Sequence, residues 1–321
     1  MPDRKLLDSL KAPIRWCQRR SALLADKQQH FEHEVAIGAI FKNEADYLDE
    51  WIEFHFQFGV THFFLYNNNS TDDWQRVIEP WTRRGVVSVT DWPELGAQQK
   101  AYNHCLRKVR RKCRWIAFID IDEFLFSPTG ATLPEVLRDY QGQTAIFVYW
   151  ILFGSAGHRI APHPSVIASY LRCLDRESAI HDRFDHRVGA AIEYVSAWAQ
   201  DGKSIVNPRL AENYRIHLPG DLWQGEVLDE TGLPPIRRAT NSPIPCSVLR
   251  INHYWSKSLS ELEAKVNRGM VNRKPSVAST SNAQAPDLKL ATWLQRERDL
   301  NVTEDRTILQ FWDADAKRRI A

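Results

Sequence analysis

Residues 114–126 read R-W-I-A-F-I-D-I-D-E-F-L-F, and the fold turns on why three acids interrupt so apolar a run. Trp115, Ile116, Phe118, Ile119 and Ile121, then Phe124, Leu125 and Phe126, make the unbroken apolar stretch of a strand buried on both faces. Asp120, Asp122 and Glu123 sit inside it. Unpaired carboxylates buried there would each cost on the order of several kcal/mol. Either a cation meets them, or the strand ends where they stand.

The flanking sequence supports the second answer. Upstream, V-A-I-G-A-I-F (35–41) is a short apolar strand. Asn43, with Asp46 three residues on, predicts a capped helix. Tyr47, Leu48, Trp51, Ile52 and His55 then recur at helical spacing, and Gly59 stops the run. T-H-F-F-L-Y (61–66) is a second strand running into an N-N-N-S-T-D-D turn, and Trp74, Val77, Ile78 and Trp81 mark the next helix. V-V-S-V-T-D-W (86–92) is a third strand, 97–112 a helix, 114–126 the quoted strand and 144–154 a further one. This alternation predicts an α/β fold, a mainly parallel central sheet flanked by helices. In open sheets of this kind ligands bind beyond the carboxyl ends of the strands. Asn43–Glu44, Asn67–Asp72, Asp91 and Asp120–Glu123 all fall at such ends.

Past residue 155 the periodicity loosens. V-L-R-I-N-H-Y-W (248–255) is a last short strand, and Ser258 with Glu261 forms a capping box for a helix ending near Gly269. The chain divides into a basic arm (1–32), a main domain (33–270) and a linker with C-terminal amphipathic helices (271–321), the Pro- and Ser-rich 275–286 being the linker.

Composition bounds the function. The 321 residues are 43% hydrophobic and 26% charged, as in a soluble globular protein. A net charge of +2 gives no global field for nucleic acid, so no nucleic-acid partner is expected. Two stretches are locally basic, the N-terminal thirty residues and R-K-V-R-R-K-C-R (107–114). Each reads as a solvated face or as contact with phosphate or an anionic membrane surface. Five cysteines without C-x-x-C spacing point to a reducing, cytoplasmic setting rather than a zinc knuckle or disulfide framework. No long apolar stretch predicts a signal peptide or membrane span, which leaves peripheral attachment at the cytoplasmic membrane face open.

Asp120 and Asp122 at a strand end, followed by Glu123, suit Mn²⁺ or Mg²⁺, which takes one or two carboxylates and completes its shell with water and phosphate oxygens. A nucleoside diphosphate sugar needs such a cation, because the departing diphosphate carries charge. The rival use of D-x-D, an aspartyl nucleophile of haloacid-dehalogenase-like phosphatases, belongs on a first strand and is disfavoured by the three strands before it.

A series of ordered blocks between about residues 35 and 270 resembles glycosyltransferase family 92 and related bacterial family-2-like transferases. They are F-K-N-E-A-D-Y-L-D-E-W-I-E-F-H-F-Q-F-G-V, F-L-Y-N-N-N-S-T-D-D, Q-K-A-Y-N-H-C-L, W-I-A-F-I-D-I-D-E-F-L, and the later W-I-L-F-G-S-A-G-H and I-N-H-Y-W-S-K-S with downstream K-V-N-R-G. The resemblance implies a GT-A fold, a UDP-sugar donor, Mn²⁺ dependence and an inverting transfer, with galactosyl transfer the best-known activity. It implies that Asp120 and Asp122 are the D-x-D pair, with His253 as a third metal ligand and His217 as its competitor. Asn43, Glu44, Asn67, Asn68, Lys100, Asn103 and Lys257 would contact the nucleotide sugar. The acceptor would be a glycan or a lipid-linked saccharide.

An inverting transfer needs a base on the acceptor hydroxyl. His158, after the 144–154 strand, is the catalytic candidate, with Asp182, Asp185 and Glu193 behind it; Trp150 and Trp198 offer faces for sugar stacking or simply core. Two other classes remain as alternatives, a nucleotide- or glycan-binding module without turnover and a metal-dependent phosphatase.

Overall fold

The computed structural model describes residues 30–162, 165–175, 201–235, 244–268, 294 and 297–312. The first half follows the expected alternation closely. β1 (His33–Phe41), α1 (Ala45–Gln57), β2 (His62–Asn67), α2 (Trp74–Arg83), β3 (Val87–Asp91), α3 (Gln98–Val109) and β4 (Cys113–Phe118) follow in order. β1 pairs in parallel with β2 and β4, and β2 with β3. The apolar residues alternate between two cores, because both faces of the sheet are covered. Val35, Ile37, Ala39 and Phe41 pack on the α1–α2 side, while Ala36 and Ile40 pack with Tyr102, Cys105 and Leu106 of α3.

The quoted run is not one strand. β4 stops at Phe118, Asp120 and Asp122 occupy a turn, and β5 (Glu123–Phe126) departs for the opposite end of the sheet. There it pairs antiparallel with β10 (Arg250–His253). The reason is anchoring: the Trp51 indole N–H donates to the Glu123 carbonyl at 2.8 Å, and the Leu125 N–H donates to His55 Nε2 at 3.0 Å. Burial holds His55 far below an ordinary histidine, at about 3, so this neutral imidazole can accept.

Past β5 come α4 (Leu133–Leu137), β6 (Ala145–Leu152), α5 (Val166–Ser169), β7 (Arg172–Cys173), β8 (Gly202–Val206), β9 (Val227–Leu228), then β10, α6 (Leu259–Arg268) and β11 (Thr303–Glu304). The sheet has nine strands, in the order β3-β2-β1-β4-β8-β6-β10-β5, with β9 beside β6. β8 is antiparallel to both β4 and β6, a strand the loosened sequence pattern did not reveal. The C-terminal segment is stitched to the main unit: Ser155 N–H and Ala156 N–H donate to Glu297 and Asn301, and β11 pairs with β7. Among the described residues no helix is long and apolar enough to cross a membrane. The basic arm through residue 29, the 275–286 linker and most of the tail lie outside the described residues.

Candidate active site

The acid turn closes at the carboxyl edge of β4, and cations from distant segments meet it. Asp120 Oδ1 accepts from Gln98 Nε2 at 2.8 Å and Tyr102 OH at 3.0 Å, both on α3. Its Oδ2 accepts from Lys203 Nζ at 2.9 Å. Lys203, on β8, is 1% exposed. Burial disfavours the Asp120 carboxylate, but Lys203 outweighs it and holds the group below the usual range. Burial likewise works against the ammonium, yet Asp120 and Glu123 keep it well above an ordinary lysine. Glu123 is fully buried, and burial pushes it well above the carboxylate range in spite of Lys203 3.7 Å away. Its Oε2 accepts the Asp120 N–H at 3.0 Å, bracing the turn.

Asp122 faces a different set. Its Oδ2 accepts from Lys265 Nζ at 2.8 Å, and its Oδ1 lies 3.6 Å from His253 Nε2. Against the cost of burial, Lys265 and His253 hold Asp122 well below the usual range. His253 itself is lowered by burial, despite Asp122. His253 stands at the end of β10, opposite Glu123 in register, which explains how residues so far apart in the chain converge.

The geometry answers a metal differently at each acid. Asp122 and His253 present one oxygen and one imidazole nitrogen at a separation that two ligands of a single cation can span. Asp120 already takes three donors on its two oxygens. Among the described residues no group of three or more His, Cys, Asp or Glu gathers as a metal site. The pair would supply two protein ligands to a divalent cation.

Lys257 Nζ lies 3.4 Å from Glu44 Oε2 and 3.2 Å from the centre of the Tyr47 ring, so Glu44 and Lys257 do converge. Lys257 adopts a positive φ of 51°, and the capping box after it is present: Ser258 N–H and Oγ both donate to Glu261 Oε2, at 3.0 and 2.6 Å. Tyr47 and Tyr170 hydroxyls donate to the same glutamate.

The asparagines stand elsewhere than a simple cap would require. Asn43, at φ 55°, does not cap α1; its Oδ1 accepts the Thr71 N–H at 2.7 Å, and Asp72 Oδ2 instead takes the Ala45 N–H at 2.8 Å. Asn67 accepts from the Ser70 N–H and donates to Asp91. Asn68 is buried, with its amide N–H groups on the Trp92 and Glu94 carbonyls. Asn103 brackets the Tyr214 backbone, donating to its carbonyl and accepting its N–H. Lys100 pairs with Glu94 at the surface.

His158 lies in the loop after β6, its Nε2 3.2 Å from the Ser169 carbonyl. Its backbone carbonyl accepts the Leu259 N–H, so it buttresses the start of α6. Asp182, Asp185, Glu193 and Trp198 lie outside the described residues. Trp150 is 3% exposed and flanked by His253 and His217, with ring centres 4.8 and 5.4 Å away. The sequence reading missed Lys203 and Lys265. A signal existed only for Lys265, inside K-V-N-R-G; Lys203 stands in G-K-S-I-V without periodic neighbours.

A mostly parallel α/β sheet with paired acids at the carboxyl edge of β4 is the arrangement of a GT-A-type glycosyltransferase. The chain belongs to glycosyltransferase family 92, whose sequence model matches residues 32–290. A family 92 protein of Ricinus communis is 34% identical over 143 residues, covering 43% of this chain and 26% of that protein. Galactan beta-1,4-galactosyltransferase GALS1 of Arabidopsis thaliana is 29% identical over 110 residues, 31% of this chain and 22% of its own. The chain thus matches about a quarter of the length of these curated relatives. Among solved structures, S. aureus TarS 1-349 is 9% identical with a TM-score of 0.39, covering 82% of this chain and 71% of that one. Glucosyl-3-phosphoglycerate synthase from Mycobacterium tuberculosis, in complex with Mn²⁺, UDP and glucosyl-3-phosphoglycerate, is 12% identical with a TM-score of 0.31, covering 59% and 60%. At this overlap neither structure bears on the site.

Proposed function

We propose that the chain transfers a hexose, galactose foremost, from a UDP-sugar to a glycan or lipid-linked saccharide, with inversion at the anomeric carbon and with dependence on a divalent cation. The observation that carries this reading is the Asp122–His253 pair, 3.6 Å apart at the sheet's carboxyl edge, with Lys265 on Asp122 and Lys257 on Glu44. The three galactan galactosyltransferases of Arabidopsis thaliana, 28 to 31% identical over their matched segments, support galactose.

Asp122 and His253 would hold Mn²⁺ or Mg²⁺, with Asp120 locked alongside by Lys203. Bound there, the cation would neutralise charge as the diphosphate departs. Lys257 and Lys265 would add fixed positive charge on the same leaving group, each released from its carboxylate partner as the diphosphate arrives. Asn67 and the Oδ1 of Asn68, at the end of β2, would face the uracil, next to Asn43 and Glu44. Lys100 would reach the nucleotide from the exposed side of α3, with Asn103 on the same helix.

The test is a panel of UDP-sugars with a β-1,4-galacto-oligosaccharide acceptor, in Mn²⁺ and in EDTA. The expected result is Mn²⁺-dependent transfer from UDP-galactose to give a product of inverted anomeric configuration, with UDP bound more tightly than GDP or CDP. UDP binding without turnover of any donor would make the chain a binding module. Release of phosphate from simple monoesters would make it a phosphatase.

A further inference from the structure

We infer that His217 is the base that takes the acceptor's proton, held in the competent tautomer by the Gly202 carbonyl and backed by Asp201. This rests on the transfer reading above.

Position comes first. β8 runs against its neighbours, so its first residues lie at the carboxyl edge of β4 and β6, where the acids are. The Trp150 N–H donates to the Asp201 carbonyl at 3.2 Å, fixing Asp201 at that edge. A Cβ on Gly202 would collide with the Val148 carbonyl, so glycine permits this close pairing. His217 then packs edge-on against Trp150, whose ring also meets His253. One indole therefore touches both imidazoles. His253 faces Asp122, 3.6 Å away, whereas His217 faces Asp201, 3.4 Å away.

Chemistry comes next. His217 Nδ1 lies 2.9 Å from the Gly202 carbonyl oxygen. A carbonyl can only accept, so Nδ1 carries the hydrogen and Nε2 keeps its lone pair. Asp201 Oδ1 lies 3.4 Å from the same Nδ1, where its charge favours the imidazolium formed after proton uptake. The His217 side chain is 30% exposed, against 8% for His253, which leaves it open to an acceptor arriving from solvent. Its backbone is fixed as well, since Ser204 Oγ and Tyr214 OH donate to the His217 carbonyl at 3.1 and 3.0 Å. Burial and Lys203 lower His217 against the pull of Asp201 and Asp120, which keeps the resting ring neutral. His158 has no comparable carboxylate behind it among the contacts described, and its Nε2 faces the Ser169 carbonyl.

The step balances. The acceptor O–H proton passes to His217 Nε2, and the oxygen's electron pair forms the new bond to the anomeric carbon. The bond from that carbon to the diphosphate oxygen breaks, its electron pair leaving with UDP. The imidazolium returns its proton to solvent after the products depart.

The test uses the full chain with UDP-galactose, Mn²⁺ and a β-1,4-galacto-oligosaccharide. His217→Ala should lower kcat by about 10²–10⁴-fold, with the Kd for UDP and the half-saturating Mn²⁺ unchanged, and added imidazole should restore part of the rate. Asp201→Asn should lower kcat by a smaller factor. If His217→Ala does not fold, His217→Gln is read in the same way. Transfer within a few-fold of wild type overturns the assignment. A raised Mn²⁺ requirement at saturating donor also overturns it, making His217 a metal ligand. If the wild-type chain moves no sugar, the transfer reading itself fails and the base falls with it.

Discussion

The two halves of the sheet divide the labour of the site unequally. In β3-β2-β1-β4 every strand is parallel to its neighbour, and each follows the last through a single helix. In β8-β6-β10-β5 directions are mixed, and the neighbours come from residues 123 to 253 in scrambled order. The first half ends in the acid turn. The second half supplies the partners: Lys203 from β8, His253 from β10, and Lys257 and Lys265 from the segment after it. Local connectivity thus builds the negative side of the site, and long-range pairing builds the positive side.

Removing the bond between the halves should have the largest effect. Lys203→Met leaves Asp120 buried without its cation and should cost about 3–5 kcal/mol of stability, read by urea denaturation. Adding Asp120→Asn should recover much of that loss, since the pair acts as a unit. A cost under about 1 kcal/mol for Lys203→Met alone would mean that the two halves hold together without it.

Asp122→Asn should come next. The fold should persist while transfer falls about 10²–10³-fold, because the amide lacks the charge that attracts a cation and meets Lys265. Unaltered kcat with unaltered metal dependence would break the division into acid and cation halves at its centre. Lys257→Ala should weaken UDP binding by about 1–3 kcal/mol, measured calorimetrically, with the melting temperature unchanged. An early melt that accounts for all the lost binding would return Lys257 to a packing role on Tyr47 and Glu44.

The most gradual effect, spread over several pH units, concerns acid. His55 joins α1 to β5, and burial holds its folded pKa at about 3 against an ordinary 6.5. The unfolded chain therefore binds the extra proton first as pH falls. Stability from this group is complete above about pH 6.5 and declines toward pH 3, by at most about 1.4 kcal/mol per pH unit. His55→Gln should flatten that slope; an unchanged slope would assign it to other groups.

Legibility followed the same divide. The strands and helices through Phe118 were readable because short connections and two covered faces impress unbroken apolar runs on the sequence. The break inside residues 114–126 was half readable: the acids marked a strand end, but nothing local showed that β5 leaves for the far edge. That choice depends on Trp51 and His55, which sit on another element. Asn43 was misplaced as a cap because its side chain is taken by Thr71, a partner 28 residues away. Lys203 was invisible, since one buried lysine in a short strand has no period to betray it.

The acid turn also sets an order of events as the chain is made. Asp120 leaves the ribosome 83 residues before Lys203, and Asp122 143 residues before Lys265. Until those residues follow, β1 to β4 can pair among themselves, but the edge of β4 that β8 will cover stays open. An open edge of apolar residues invites association with other chains. The carboxylates at its tip, still hydrated and unneutralised, oppose that by like-charge repulsion between copies. Pulse-labelled hydrogen exchange during refolding should therefore protect β1–β4 amides before the Tyr254 N–H, which donates to the Asp122 carbonyl. Protection of Tyr254 first would reverse the order. The carboxylates that close the acid turn of the finished protein would thus also guard its unfinished half from aggregation.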